Sequence, residues 1–134
     1  MFKAQEDTLA ADGDLISFRN ALLSKRYEDA LFYLKRAEGK RPEIRLLPDI
    51  MWLKAQLHSS LERPRLAAWH AEAALRMQAS PSTSAGAMLF LGRHLLKRGK
   101  SDEAIPLLKN VIEKYPKSQE AISAEALLAE IRRK

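Results

Sequence analysis

Small and apolar residues recur along this chain at helical spacing, and the same trio returns at a fixed interval. Ala30, Leu34 and Ala37 stand at i, i+4 and i+7, one face of a helix. A step of 37 residues carries them to Ala67, Ala71 and Ala74, and again to Ala104, Leu108 and Val111. The same step takes Pro42 through Ala79 to Pro116 at the segment ends, and Arg26 through Arg63 to Lys100 at the turn before each segment. Agreement among independent positions marks an internal repeat, and a repeat of this length is one supersecondary unit that buries its apolar faces by stacking on its neighbours.

Between these anchors each unit divides into two helical stretches, at residues 14–24 and 27–38, 49–61 and 65–78, and 85–98 and 102–115. A seventh stretch, 118–132, follows Pro116 with Glu120, Glu125, Glu130, Arg132 and Arg133 interspersed, the pattern of a helix that covers the end of a stack and faces water. The breaks carry suitable chemistry. Pro42 and Pro48 stop and restart the chain, Ser80-Pro81-Ser82-Thr83-Ser84 supplies N-cap oxygens, and Gly99 followed by Ser101 closes one helix and caps the next. Alternation of apolar and polar residues beside a Gly-containing hairpin turn does not occur, so the expected fold is all-α, with about seven helices. The units fall at about 11–47, 48–84 and 85–118, within a single domain spanning 1–134.

The third unit carries a family resemblance. Counted back from Pro116, Gly92 takes the small eighth position of a 34-residue motif, Gly99 the turn, Ala104 the small twentieth position, and Leu108 and Val111 the packing positions. This resembles a tetratricopeptide repeat. Unit one is similar in Tyr27, Ala30, Leu34, Ala37 and Pro42, and unit two in Ala55, Ala67, Ala71, Ala74 and Leu75. Phe18 departs from it where a small residue is usual, Lys54 where a Leu is usual, and the step exceeds 34 residues. The extra residues fall after Pro42 and within 80–84, between hairpins.

The resemblance implies a right-handed superhelical stack of antiparallel hairpins, an α-solenoid. It also implies a non-enzymatic scaffold that receives a peptide or partner helix in a concave groove lined by the first helix of each hairpin. Carried onto this sequence, that groove takes Leu15, Arg19 and Leu22 from unit one, Trp52, Gln56 and Ser59 from unit two, and Leu89, Arg93 and Leu96 from unit three. An aromatic beside arginines is a common hot-spot composition, and Arg grips a carboxylate with two parallel hydrogen bonds. The expected occupant is an acidic or carboxylate-bearing peptide with an apolar anchor near Trp52. The competing reading makes Leu15, Trp52 and Leu89 core and Arg19 and Arg93 solvated. A chaperone-type carboxylate clamp does not fit: Ile16 precedes Asn20 by four residues where Lys is needed, and Leu89 precedes Arg93.

Charge changes the picture modestly. Lys and Arg exceed Asp and Glu by a net +6, but the positive residues are mixed with acids, which suits solvated helix faces better than a phosphate-binding stripe. Nucleic-acid binding is therefore the weaker class, and self-association into a homo-oligomer is the other alternative. No cofactor or metal is expected. No HExxH pattern occurs, and His58, His70 and His94 read as packing or surface residues. Glu28-Asp29 and Asp102-Glu103 read as first-turn charges that favour the helix N-terminus, and no glycine run cradles phosphate. Cysteine is absent and leaves the compartment open. The longest apolar run, residues 87–91, falls far below the roughly 18 residues of a membrane span. A soluble chain is expected, cytoplasmic in preference, or else a soluble piece of a larger, even membrane-anchored, protein.

Overall fold

The architecture comes from a computed structural model, which describes residues 13–133. Among these are seven α-helices and no strand. They are α1 (Gly13–Leu23), α2 (Tyr27–Lys40), α3 (Pro48–Ser60), α4 (Pro64–Arg76), α5 (Pro81–Lys97), α6 (Ser101–Lys114) and α7 (Gln119–Arg133), with a 3-10 helix at Pro42–Leu46. The expected all-α class holds, and the helices pack in adjacent pairs, α1 on α2, α3 on α4, α5 on α6, with α7 laid against α6 and α5. No helix among the described residues is long and apolar enough to cross a membrane.

The 37-residue step reappears in the backbone of the hairpin turns. Lys25, Glu62 and Gly99 occupy it, and all three have positive φ, at 61°, 60° and 75°. The next residue closes the helix each time. Arg26 N–H donates to the Ala21 carbonyl at 2.8 Å, Arg63 to His58 at 2.8 Å, and Lys100 to Leu95 at 2.9 Å. This is the Schellman arrangement, in which a left-handed residue turns the chain and the otherwise orphaned carbonyls are bonded. Glycine adopts it without strain, whereas Lys25 and Glu62 hold it at a cost.

The core divides along the same lines. Phe18, fully buried, lies with Leu15, Ala21, Ala30, Leu34 and Ala37 in the first hairpin's cluster, and the alanines leave the volume that a large residue at position 18 needs. Ile44 of the 3-10 helix and Ile50 and Leu57 of α3 complete that cluster. Contact between α2 and α3 themselves is slight, so the 3-10 helix joins the first hairpin to the second. Full burial of Ile44 contributes about 2–3 kcal/mol to that joint. Farther along, Ala55, Ala68, Ala71, Ala87 and Leu91 form a small-residue seam among α3, α4 and α5, and Leu89, Leu108, Val111, Ala124 and Leu128 fill the space among α5, α6 and α7. Gly92 shows why a small residue is needed there: a Cβ on it would lie 2.7 Å from the Leu108 Cδ2.

Two expectations at helix starts are corrected. Residues 81–84 are not a connection between hairpins but the first turn of α5. Ser80 caps it, its Oγ accepting from the Thr83 N–H at 3.3 Å, and Pro81 at the first helical position has no N–H to leave unpaired. Thr83 and Ser80 both donate to the Asp49 carboxylate, at 2.5 and 3.3 Å, which ties the start of α5 to the start of α3. Ser101, in turn, is the first residue of α6 rather than its cap; Lys100 holds the cap position without a side-chain hydrogen bond.

Candidate functional site

The first helices of the three hairpins, α1, α3 and α5, carry the nine residues expected along a groove. Leu15 and Leu89 are buried in core clusters, 3% and 8% exposed, and present no surface to a partner. Trp52 is half-buried and serves packing: its ring lies where a Cβ on Gly86 would come within 2.8 Å, and it meets Phe90 edge-on, with centroids 5.9 Å apart. The absence of a side chain at Gly86 is what admits the indole between α3 and α5. Trp52 therefore stands as a wall between two helices instead of as an anchor point for a ligand.

The other six lie at the surface and line three successive hollows. Arg19, Leu22 and Gln56, with Leu53 and Lys25, line the first, of about 520 Å³ between α1 and α3. Ser59 and Arg93, with Phe90 and Lys97, line the second, of about 540 Å³ between α3 and α5. Arg93 and Leu96, with Leu127 and Ile131, line the third, of about 450 Å³ between α5 and α7. Arg93 is shared by the second and third. Its neighbours include two acids, Glu62 in the second hollow and Glu130 in the third.

The accessible apolar row is shifted by one residue from the expected one. Leu53 and Phe90, both on the 37-residue step, floor the first two hollows, and Ile16, the same step earlier, is 44% exposed. One residue turns a helix by about 100°, enough to carry a side chain from the interior to the open side. The sequence contains this row as plainly as the buried one; only packing distinguishes them. The same step carries the row on to Leu127 of α7, which with Ile131 lines the third hollow.

A second polar arrangement sits at the joint of the first two hairpins. The Glu38 carboxylate of α2 pairs with the Lys54 ammonium of α3 at 2.5 Å, both largely withdrawn from water. Arg45 of the 3-10 helix stands 3.9 Å from the same carboxylate. The unusual Lys at position 54 thus has a tertiary partner. Behind it His58 of α3 and His70 of α4 stack face to face, centroids 5.0 Å apart and planes 12° from parallel, and Trp69 meets His70 edge-on. Neither Nδ1 has a hydrogen-bond partner. Burial, then the His58 ring and Lys54, push the His70 pKa down to about 4 against a weaker upward pull from Glu38. Burial, Arg63 and Lys54 lower that of His58. Both rings are therefore neutral near pH 7, as stacked imidazoles require.

Chemically, the row of hollows offers apolar floors with guanidinium and ammonium groups at the rim. Arg19, Lys25, Arg93 and Lys97 take part in no ion pair among the described residues. Among those residues, no group of three His, Cys, Asp or Glu is placed to hold a metal ion. Comparison of the chain with models of known protein families, with curated proteins and with solved structures finds no match.

Proposed function

We propose that this chain is a protein-interaction scaffold of tetratricopeptide-like hairpins, stacked as a right-handed solenoid, that binds an acidic or carboxylate-bearing peptide along its first helices. The observation that carries the reading is the continuity of the surface row. Six side chains chosen by one 37-residue step, Arg19, Leu22, Gln56, Ser59, Arg93 and Leu96, line three neighbouring open hollows. The apolar floors give a peptide side chain somewhere to leave water, and Arg19 and Arg93, in no ion pair among the described residues, supply charge-assisted hydrogen bonds for carboxylates. The resemblance of the third unit to a tetratricopeptide repeat, with Gly92 against Leu108 at its closest approach, supports the same reading. The peptide's apolar anchor belongs over Leu53 and Phe90, since Trp52 is occupied in packing.

An affinity pull-down from a source lysate tests this, with the intact chain beside an Arg19→Glu/Arg93→Glu variant whose helicity is checked by circular dichroism. Both side chains are exposed, so the variant keeps the core. A protein retained by the first and lost by the second supports the row as the binding surface. Equal retention by both removes it.

A further inference from the structure

A different concavity lies across His94 from the second hollow, at the seam of α4, α5 and α6. It measures about 340 Å³. Its wall is Trp69, 56% exposed, and Leu66, one turn earlier on α4, is 48% exposed. Two large apolar residues side by side on the surface of one helix invite cover, where single exposed apolar residues are ordinary. Leu91, Leu95 and Leu107 line the cleft beside Trp69.

The charges around this cleft are unequally committed. Its two acids are engaged: Glu72 faces Arg76 at 3.6 Å, and Glu103 faces Lys100 at 3.8 Å. Its other two cations, Arg65 and Arg98, take part in no ion pair among the described residues. His94, at the saddle between the cleft and the second hollow, reports the local field. Burial lowers its pKa first and Arg98 next, with Lys97 and Lys100 adding to that and Glu72 opposing. A positive field over an exposed indole is complementary to carboxylates that flank an apolar side chain.

We propose that this cleft is a second docking site, independent of the row of hollows, for an acidic peptide segment of a partner protein. Its apolar side chain packs on Trp69, and carboxylates on either side of it meet Arg65 and Arg98. A nucleic-acid backbone fits less well, because Glu72 and Glu103 line the same cleft and repel a continuous run of phosphates, whereas a peptide presents only a few spaced carboxylates.

The two indoles of the chain make the test site-specific. The intact chain, labelled with ¹⁵N, is titrated with a short synthetic peptide of glutamates flanking one phenylalanine, and the Trp69 and Trp52 indole N–H resonances are followed, assigned with a Trp69→Phe variant. Saturable displacement of the Trp69 resonance and of the His94 and Leu95 amides is expected. Arg65→Glu/Arg98→Glu should weaken it at least about tenfold, the effect of losing one charge-assisted contact. Glutamine in place of glutamate should weaken it similarly. The proposal is overturned if Trp69 does not respond, if only Trp52 and the row residues respond, if the glutamine peptide acts equally, or if a short single-stranded RNA displaces Trp69 while the peptide does not. A response at Leu53 and Phe90 without one at Trp69 would leave the row standing and remove the cleft alone.

Discussion

Acidification should loosen the packing of α3 on α4 within the second hairpin through His70. In the unfolded chain this imidazole protonates around pH 6.5, while in the folded hairpin burial and the positive neighbours hold it neutral down to about 4. Between those values the unfolded state binds a proton that the folded state refuses. Stability is then fully present above pH 6.5 and is lost as pH falls toward 4. A displacement of that size corresponds to at most about 3 kcal/mol, reduced by screening of the ring edge that reaches water. His58, shifted in the same direction, adds to it.

Denaturant midpoints measured between about pH 7.5 and pH 5 read this out, in a range where ordinary carboxylates remain ionised. The intact chain should lose stability on going to pH 5, and a His70→Phe variant should lose distinctly less. Phenylalanine keeps an aromatic ring between His58 and Trp69 but takes no proton. If both proteins lose stability in parallel over this range, the stacked pair does not govern the acid response, and the reasoning from its buried Nδ1 atoms fails.

Two further outcomes follow from the turns and the ion pair. Lys25→Gly and Glu62→Gly should each stabilise the chain by about 0.5–1 kcal/mol, the left-handed penalty relieved less the chain entropy that glycine adds, while Gly99→Ala should destabilise it by a comparable amount; urea unfolding decides, and loss of stability in both glycine variants would contradict the left-handed assignment. Lys54→Ala leaves the Glu38 carboxylate withdrawn from water without its closest partner and should cost about 2–4 kcal/mol in the same assay. A Glu38→Leu/Lys54→Leu double variant should return to within about 1 kcal/mol of the parent, because an apolar pair there has no charge to desolvate.

What was legible in the sequence is what depends on residues close together in it. The helices, their pairing and the step of 37 rest on local periodicity and on Gly and Pro at the breaks, and they reappear in the positive φ at Lys25, Glu62 and Gly99. Six of the nine residues expected along a groove line the hollows. The shift from Leu15, Trp52 and Leu89 to Ile16, Leu53 and Phe90 was not legible, because both rows share the period and only packing decides which faces outward. Residues 81–84 looked like a connection because Ser and Pro favour turns, yet Ser80 and Pro81 in that order are also a cap and a first helical residue. The His58–His70 stack joins residues brought together across the turn from α3 to α4, and Glu38–Lys54 joins α2 to α3. No spacing rule within one helix finds either.

The joints between hairpins are thus unequal. Between the second and third, α4 lies directly on α5 across a seam of alanines, with no helix inserted between them. Between the first and second, a 3-10 helix stands where direct contact of α2 with α3 is slight, and a charged pair joins Glu38 to Lys54. Apolar burial at that joint rests on Ile44, Ile50 and Leu57, and polar contact rests on the Glu38–Lys54 pair with Arg45 beside it. A repeat array transmits stability only through its nearest-neighbour interfaces. The first hairpin is consequently coupled to the rest through a 3-10 helix and a charged pair in place of direct helix contact. The hollow between α1 and α3 depends on that interface for its shape, whereas the hollow between α5 and α7 does not.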